Sequence, residues 1–209
     1  MAKIYIDTNI FLDFYQASMD RLNVFEEIKK FSSDIILTEQ TINEFSRNRS
    51  ARLNNLANSI EKETTIKIYT TAIVQSLPDF SKWSEVKKEA EGLAKKISKQ
   101  LYSLATDISL DPVNTAFEDL VRVTTIYPIT QKNIFDANNR KLLGNPPTSP
   151  DKHTIGDEII WEMILENIKD DLIIVSRDKT FSQNFSILKT EFESKTGLIL
   201  DRIVNNRSL

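Results

Sequence analysis

Residues 4–11 read Ile4-Tyr5-Ile6-Asp7-Thr8-Asn9-Ile10-Phe11, and how this stretch is read decides the fold. Ile4, Tyr5 and Ile6 have the look of a short buried strand, and Ile10, Phe11 and Leu12 resume the apolar run. Between them stand three polar residues, Asp7-Thr8-Asn9. A carboxylate among apolar neighbours is costly to desolvate unless it is paired or binds a metal. A buried strand that ends in an acid is the arrangement expected where an open parallel sheet presents its ligand edge.

Working outward, the other strand signals are Ile35–Leu37, Leu172–Ser176 and Leu198–Leu200, each a short apolar run. Between them the pattern is helical. Leu22, Phe25, Ile28 and Phe31 repeat at helical spacing, and so do the apolar residues of Gln40–Ser59, Lys82–Thr106, Thr115–Val123 and Gln131–Leu143. The run Gly144 to Pro150, with three prolines, is the strongest loop signal, and an amphipathic helix carrying Ile155, Ile159, Met163 and Ile168 follows it. Strands alternating with helices predict an α/β fold with a parallel sheet. One domain over residues 1–209 is expected, elaborated by a long helical insertion at about 50–125.

Composition narrows the chemistry. There are no cysteines and one histidine, His153, so thiolate sites and cysteine nucleophiles are excluded and any metal must be held by oxygen. The absence of cysteine suits a reducing compartment. Only three apolar residues separate Lys3 from Asp7, and no run approaches the ~20 residues of a membrane helix. The expectation is a cytoplasmic protein with no membrane partner. Residues 47–110 carry 11 basic and 7 acidic side chains, against 16 and 23 in the remainder, so a basic helical section could grip a polyanion. Solvated helix faces account for the same asymmetry.

Four acids fall where a parallel sheet would gather them: Asp7 after the first strand, Glu44 in the helix after the second, Asp157 in a helix first turn and Asp178 just past Leu172–Ser176. Each has an ordinary structural reading. Thr41 with Glu44, and Thr154 with Asp157, resemble capping boxes. Asp178 could cap a helix at Lys179, and Asp7 could turn onto Asn9. Together at one sheet edge they would repel one another, and a divalent cation removes that problem. Oxygen-only ligands select Mg²⁺ or Mn²⁺.

The segments IYIDTNIFLDF, ILTEQTINEF, IGDEIIWEMIL and IIVSRDKTF, in that order, resemble the PIN-domain nucleases. The run NRKLLGNPPTSPDKHTIGDEIIWEMI resembles the PIN-like subfamily in which an arginine, a Gly-x-Pro-Pro loop and a lysine precede a Gly-Asp…Trp helix. The likeness covers about residues 1–50 and 130–185. It implies a three-layer α/β/α fold with a mostly parallel sheet, and metal-dependent endonuclease activity, usually on RNA; the sequence leaves single-stranded DNA open as an alternative substrate. Carried over, Asp7, Glu44, Asp157 and Asp178 are the acidic quartet and metal ligands. Asn9 orients Asp7 or a metal-bound water, and Ser176 supports Asp178. Glu39, two residues past its strand, competes with Glu44.

Such a site uses one or two metals to bind a phosphate oxygen and acidify a water that attacks phosphorus in line. Arg140 and Lys152 are candidates for gripping phosphate, and Arg47, with Arg49 and Arg52, for holding the flanking backbone. Trp161 reads as core and His153 as a loop residue. An inhibitory partner protein, as in a toxin or defence pair, and a homo-oligomer are further expectations.

Two other readings compete. A non-catalytic RNA-binding or interaction module on the same scaffold would use the basic helices, but gains nothing from four clustered acids. A haloacid-dehalogenase-like phosphatase needs a second aspartate two residues after the first, where this chain has Asn9.

Overall fold

The computed structural model describes residues 2–149 and 153–203. The chain enters through strand β1 (Lys3–Ile6), helix α1 (Thr8–Leu12), α2 (Asn23–Lys29), β2 (Ile35–Thr38) and the long α3 (Glu39–Glu63). Helices α4 (Ala72–Gln75), α5 (Phe80–Thr106) and α6 (Pro112–Val123) lead to β3 (Thr125–Tyr127) and α7 (Gln131–Leu143). Then come α8 (Gly156–Asn167), β4 (Leu172–Val175), α9 (Lys179–Gln183), α10 (Phe185–Thr196) and β5 (Leu200–Ile203).

The five strands form one sheet in the order β3-β2-β1-β4-β5, and every pairing is parallel. Tyr5 is level with Ile36 on one side and with Ile174 on the other, so side chains of like register share a face. Tyr5, Ile36, Leu172, Ile174 and Leu200 line one face and pack with Ile160, Trp161 and Ile164 of α8 and with Leu188 and Phe192 of α10. Ile35 and Leu37 alternate to the other face and are equally buried. There α1, α2, the start of α3 and α6 supply a chain of rings: Phe11–Phe25 at 6.1 Å, Phe11–Phe117 at 4.9 Å and Phe45–Phe117 at 4.0 Å between centroids. Helices cover both faces of an all-parallel sheet, the three-layer α/β/α arrangement expected from the sequence.

Two elements depart from the sequence expectation. β3 lies at the end of what reads as helical sequence. It is three residues long and sits at the sheet edge, with Thr125 and Ile126 exposed, so no alternation could mark it. The last strand starts at Leu200 rather than Leu198. Gly197 ends α10 in the left-handed region at φ 71°, and the Ile199 amide is still donating to Asp171 Oδ1 before pairing begins.

The chain divides into two compact units, residues 1–47 with 113–209, and residues 48–112. The second is helical, built from the later turns of α3 with α4 and α5. Inside it Ser98 Oγ donates to the Ala57 carbonyl, and Leu53, Ala57 and Ala94 are buried. Arg49 is consumed there: its guanidinium lies 3.0 Å from the buried Asp111 and donates to the carbonyls of Leu104 and Ala105. It is a structural tie, not a hand for a nucleic acid backbone. Among the described residues no helix is long and apolar enough to cross a membrane.

Candidate active site

Strand order fixes where a ligand edge falls. β2 and β3 lie to one side of β1, β4 and β5 to the other, so the connections diverge between β1 and β4. The carboxyl ends of two such strands flank a crevice. Asp7 follows β1 directly, and its amide still donates to the Val175 carbonyl at 3.0 Å. Ser176 and Asp178 follow β4. The sheet register alone sets these residues side by side.

Asp7 is nine-tenths buried, with 7% of its surface exposed. Its Oδ2 accepts from Asn9 Nδ2 at 2.8 Å and from the Ser176 hydroxyl. Both donors are neutral, and both address the same oxygen, which leaves Oδ1 for a further ligand. Burial is the chief force pushing the Asp7 carboxyl up to about 7; Asp157, Asp178 and Glu44 push the same way, while the Ser176 hydrogen bond pulls it down. The three carboxylates that raise it are the other members of the quartet. The Tyr5 hydroxyl, buried below and hydrogen-bonded to Thr41, is pushed well above its usual range by burial, then by Asp7, and further by Glu44 and Asp157.

Ser176 ties the two strand ends together. Besides donating to Asp7, its oxygen accepts from the Asp178 amide at 2.9 Å. Asp178 in turn caps α9, Oδ1 accepting from the Thr180 amide at 2.7 Å. The Thr180 hydroxyl is hydrogen-bonded to Asp178 and lies 3.3 Å from Asp157 Oδ2, so one threonine joins α9 to α8. The Arg177 amide donates to Asn9 Oδ1 at 3.4 Å.

Glu44 reaches the site from the second turn of α3. Its carboxylate accepts from Gln40 Nε2 at 2.8 Å and from Thr8 Oγ1 at 3.2 Å. It also presses on the start of α8: a Cβ at Gly156 would stand 2.1 Å from Glu44 Oε1. Only a residue without a side chain admits that carboxylate beside Asp157. Glu39 does other work, its Oε2 accepting from the Ile129 amide at 2.7 Å and holding the entry to α7.

Of the basic candidates, Arg47 is exposed on α3 with Nη2 3.9 Å from Glu44 Oε1, at the rim of the acids. Arg140 stands elsewhere and is not free to hold phosphate. It is buried, donates to Glu162, to both oxygens of Glu191 and to the Pro146 carbonyl, and so clasps α7, α8, α10 and the proline loop. Lys152 lies outside the described residues. His153 is exposed, and Trp161 is fully buried with Nε1 donating to Glu191 at 2.9 Å. The sequence assigned no role to Thr8, Gln40 or Thr180, and gave Gly156 only its place in the Gly-Asp motif. Their positions beside the acids, one residue after Asp7, four before Glu44, one before Asp157 and two after Asp178, were the available signal.

The donors are of the kind a hard divalent cation takes, and Asp7 is a buried carboxylate whose hydrogen-bond partners are uncharged. The side chains as they stand are engaged with Gln40, Thr8 and Thr180, and among the described residues no three acids close on one point that could hold a metal. The donor set, carboxylate oxygens alone, is of the chemistry that a hard divalent cation takes.

No curated protein and no solved structure matches the chain significantly. A family model described as the PIN domain matches residues 4–181, which include every member of the acidic group. PIN domains are generally nucleases and typically use divalent metals. With this match over most of its length, the chain belongs to the PIN domain family.

Proposed function

We propose that this chain is a metal-dependent endoribonuclease that hydrolyses phosphodiester bonds at the end of β1 and β4. The observation that carries the reading is Asp7, a buried carboxylate pushed up to about 7 by burial and by three further acids. A carboxylate kept in so unfavourable a field has a use for a cation. Asp7, Glu44, Asp157 and Asp178 would hold Mg²⁺ or Mn²⁺, which when bound supplies charge to the scissile phosphate and lowers the pKa of water.

The chain's own side chains do the rest. Asn9 and Ser176 fix the plane of the Asp7 carboxyl by occupying Oδ2. Thr180 holds Asp157 and Asp178 in register, and Gly156 leaves room for Glu44. Arg47, at the rim 3.9 Å from Glu44, would meet the flanking phosphate. RNA is the proposed substrate, with single-stranded DNA as the comparison.

A second reading has one observation in its favour: no three acids close on a point among the described residues. On that reading the domain binds RNA without cutting it. The separating experiment is cleavage of end-labelled single-stranded RNA with Mn²⁺, Mg²⁺ or chelator. Metal-dependent cleavage by the wild-type chain and none by Asp157→Asn supports the nuclease. RNA binding of equal strength by both, with no cleavage by either, supports the binding module.

A further inference from the structure

Beside the acids lies a second feature that phosphodiester hydrolysis does not itself require. A cavity of about 520 Å³ opens between α1 and α2, with Ile10, Phe14, Val24 and Ile28 among its walls and Asp13 and Arg177 among its polar groups. Its volume is within the ~300–1,000 Å³ typical of small-ligand sites. It adjoins the site through the chain itself: Ile10 follows Asn9, and Arg177 stands between Ser176 and Asp178. Val24 is 41% exposed although apolar, and Phe14, half-buried, sets its ring tilted by 45° against Phe25 at 4.4 Å between centroids. Apolar walls that include one aromatic ring, beside the proposed phosphodiester-cleaving site, suit a base more than a sugar.

Gln16 and Arg21 also line the cavity, and within that polar set the ion pair bears on which base. Arg177 Nη1 lies 2.8 Å from Asp13 Oδ2, yet that buried oxygen accepts no directed hydrogen bond. The contact is an ion pair set off the hydrogen-bonding axis, so both groups keep bonding capacity. A carboxylate only accepts and takes two N–H donors side by side; a guanidinium only donates and takes two acceptors side by side. Guanine alone among the RNA bases offers both, N1–H with N2–H to the acid and O6 with N7 to the arginine.

We propose that this cavity is a guanine-reading subsite, in which Asp13 and Arg177 select the base of a nucleotide adjacent to the bond cut. The choice of a polynucleotide as ligand rests on the nuclease reading above. When the base enters, Arg177 turns from Asp13 to the O6/N7 edge, and Phe14 and Val24 flank the ring. Specificity then resides in residues outside the acidic group.

The test measures binding and cleavage separately. In chelator, so that no bond is cut, the four ribonucleoside 5′-monophosphates are titrated into the wild-type chain, Asp13→Ala and Val24→Trp. Val24→Trp changes an exposed position and fills the cavity without touching the ion pair; circular dichroism verifies that each variant is folded. Guanosine monophosphate should bind at least tenfold more tightly than the other three and lose that advantage in both variants. Equal binding of all four, or guanosine monophosphate binding unchanged in the two variants, overturns the subsite. Cleavage of a randomised RNA pool should show guanine enriched at one fixed position beside the cut. Cleavage with no such enrichment overturns the subsite and leaves the nuclease standing. Guanosine monophosphate binding without any cleavage overturns the nuclease and leaves a guanine site.

Discussion

The Ser176 hydroxyl donates to Asp7 Oδ2 across 169 residues of sequence, joining the end of β4 to the end of β1. The bond exists because the two strands are neighbours in register, Ile6 level with Val175, so the residues that follow them emerge together. It also lowers the Asp7 carboxyl against burial and three like charges. Replacing Ser176 by Ala removes that stabilisation of the charged form. The acid limb of the pH–activity profile should move to higher pH, measured as cleavage rate against pH at saturating Mn²⁺. An unmoved limb would show that Asp7 is not the group titrating there.

Asp7 also sets how stability depends on pH. Its carboxyl lies at about 7 in the folded chain, above the ordinary 3.8, so between these values the folded state holds a proton that the unfolded state has lost. Stability without metal should therefore fall as pH rises from about 4 to 7 and change little from this group above that. Asp7→Asn removes the cost and should raise the unfolding free energy above pH 7 by on the order of 4 kcal/mol. Mn²⁺ competes with the proton, so its stabilisation of the wild type should be larger at pH 8 than at pH 5.5. Thermal melts at both pH values, with and without Mn²⁺, measure all three.

Gly156 separates fold from function. The Cβ of an alanine there would meet Glu44 Oε1 at 2.1 Å and Gln40 Nε2 at 3.0 Å, both the far ends of flexible side chains. Gly156→Ala should keep its melting temperature within a few degrees, because those ends can swing away. Activity should drop by roughly ten- to a hundredfold, the range found when partners of metal-holding groups are lost. Full activity would place Glu44 outside the working site.

Arg140 gives the opposite pattern. It is buried against Glu162 and Glu191, and although burial works against it, Glu191 is held down to about 2 by hydrogen bonds from Arg140, Lys195 and Trp161. Arg140→Ala leaves those acids partly buried without their cation and should cost roughly 3 kcal/mol in denaturant unfolding. Because Glu191 lies below its ordinary 4.5, its contribution is full above that pH and fades as pH falls toward 2. The residual activity of the folded fraction should be near that of the wild type, since Arg140 stands apart from the acids.

The legible part of the sequence was the part governed by local pattern. Asp7 after an apolar triplet and Asp157 in a first turn could be placed from spacing alone, and Gln131–Leu143 was read to the residue because Thr130 caps it and Gly144 ends it. What spacing could not show is which distant groups meet. Arg140 looks like a spare cation until Glu162 and Glu191, 22 and 51 residues away, fold onto it. That Glu39 accepts from the Ile129 amide while Glu44 accepts from Thr8 is likewise a matter of distant partners. β3 carries three residues at an edge, too few for a period of two to register.

The measurement closest to the central claim is a calorimetric Mn²⁺ titration of the wild-type chain beside Asp7→Asn, Asp157→Asn and Arg140→Ala. If the acids act as one site, the wild type binds Mn²⁺ saturably, each aspartate variant loses at least tenfold in affinity, and folded Arg140→Ala binds as the wild type does. Equal Mn²⁺ binding by the wild type and both aspartate variants, or none by any of them, would contradict the account.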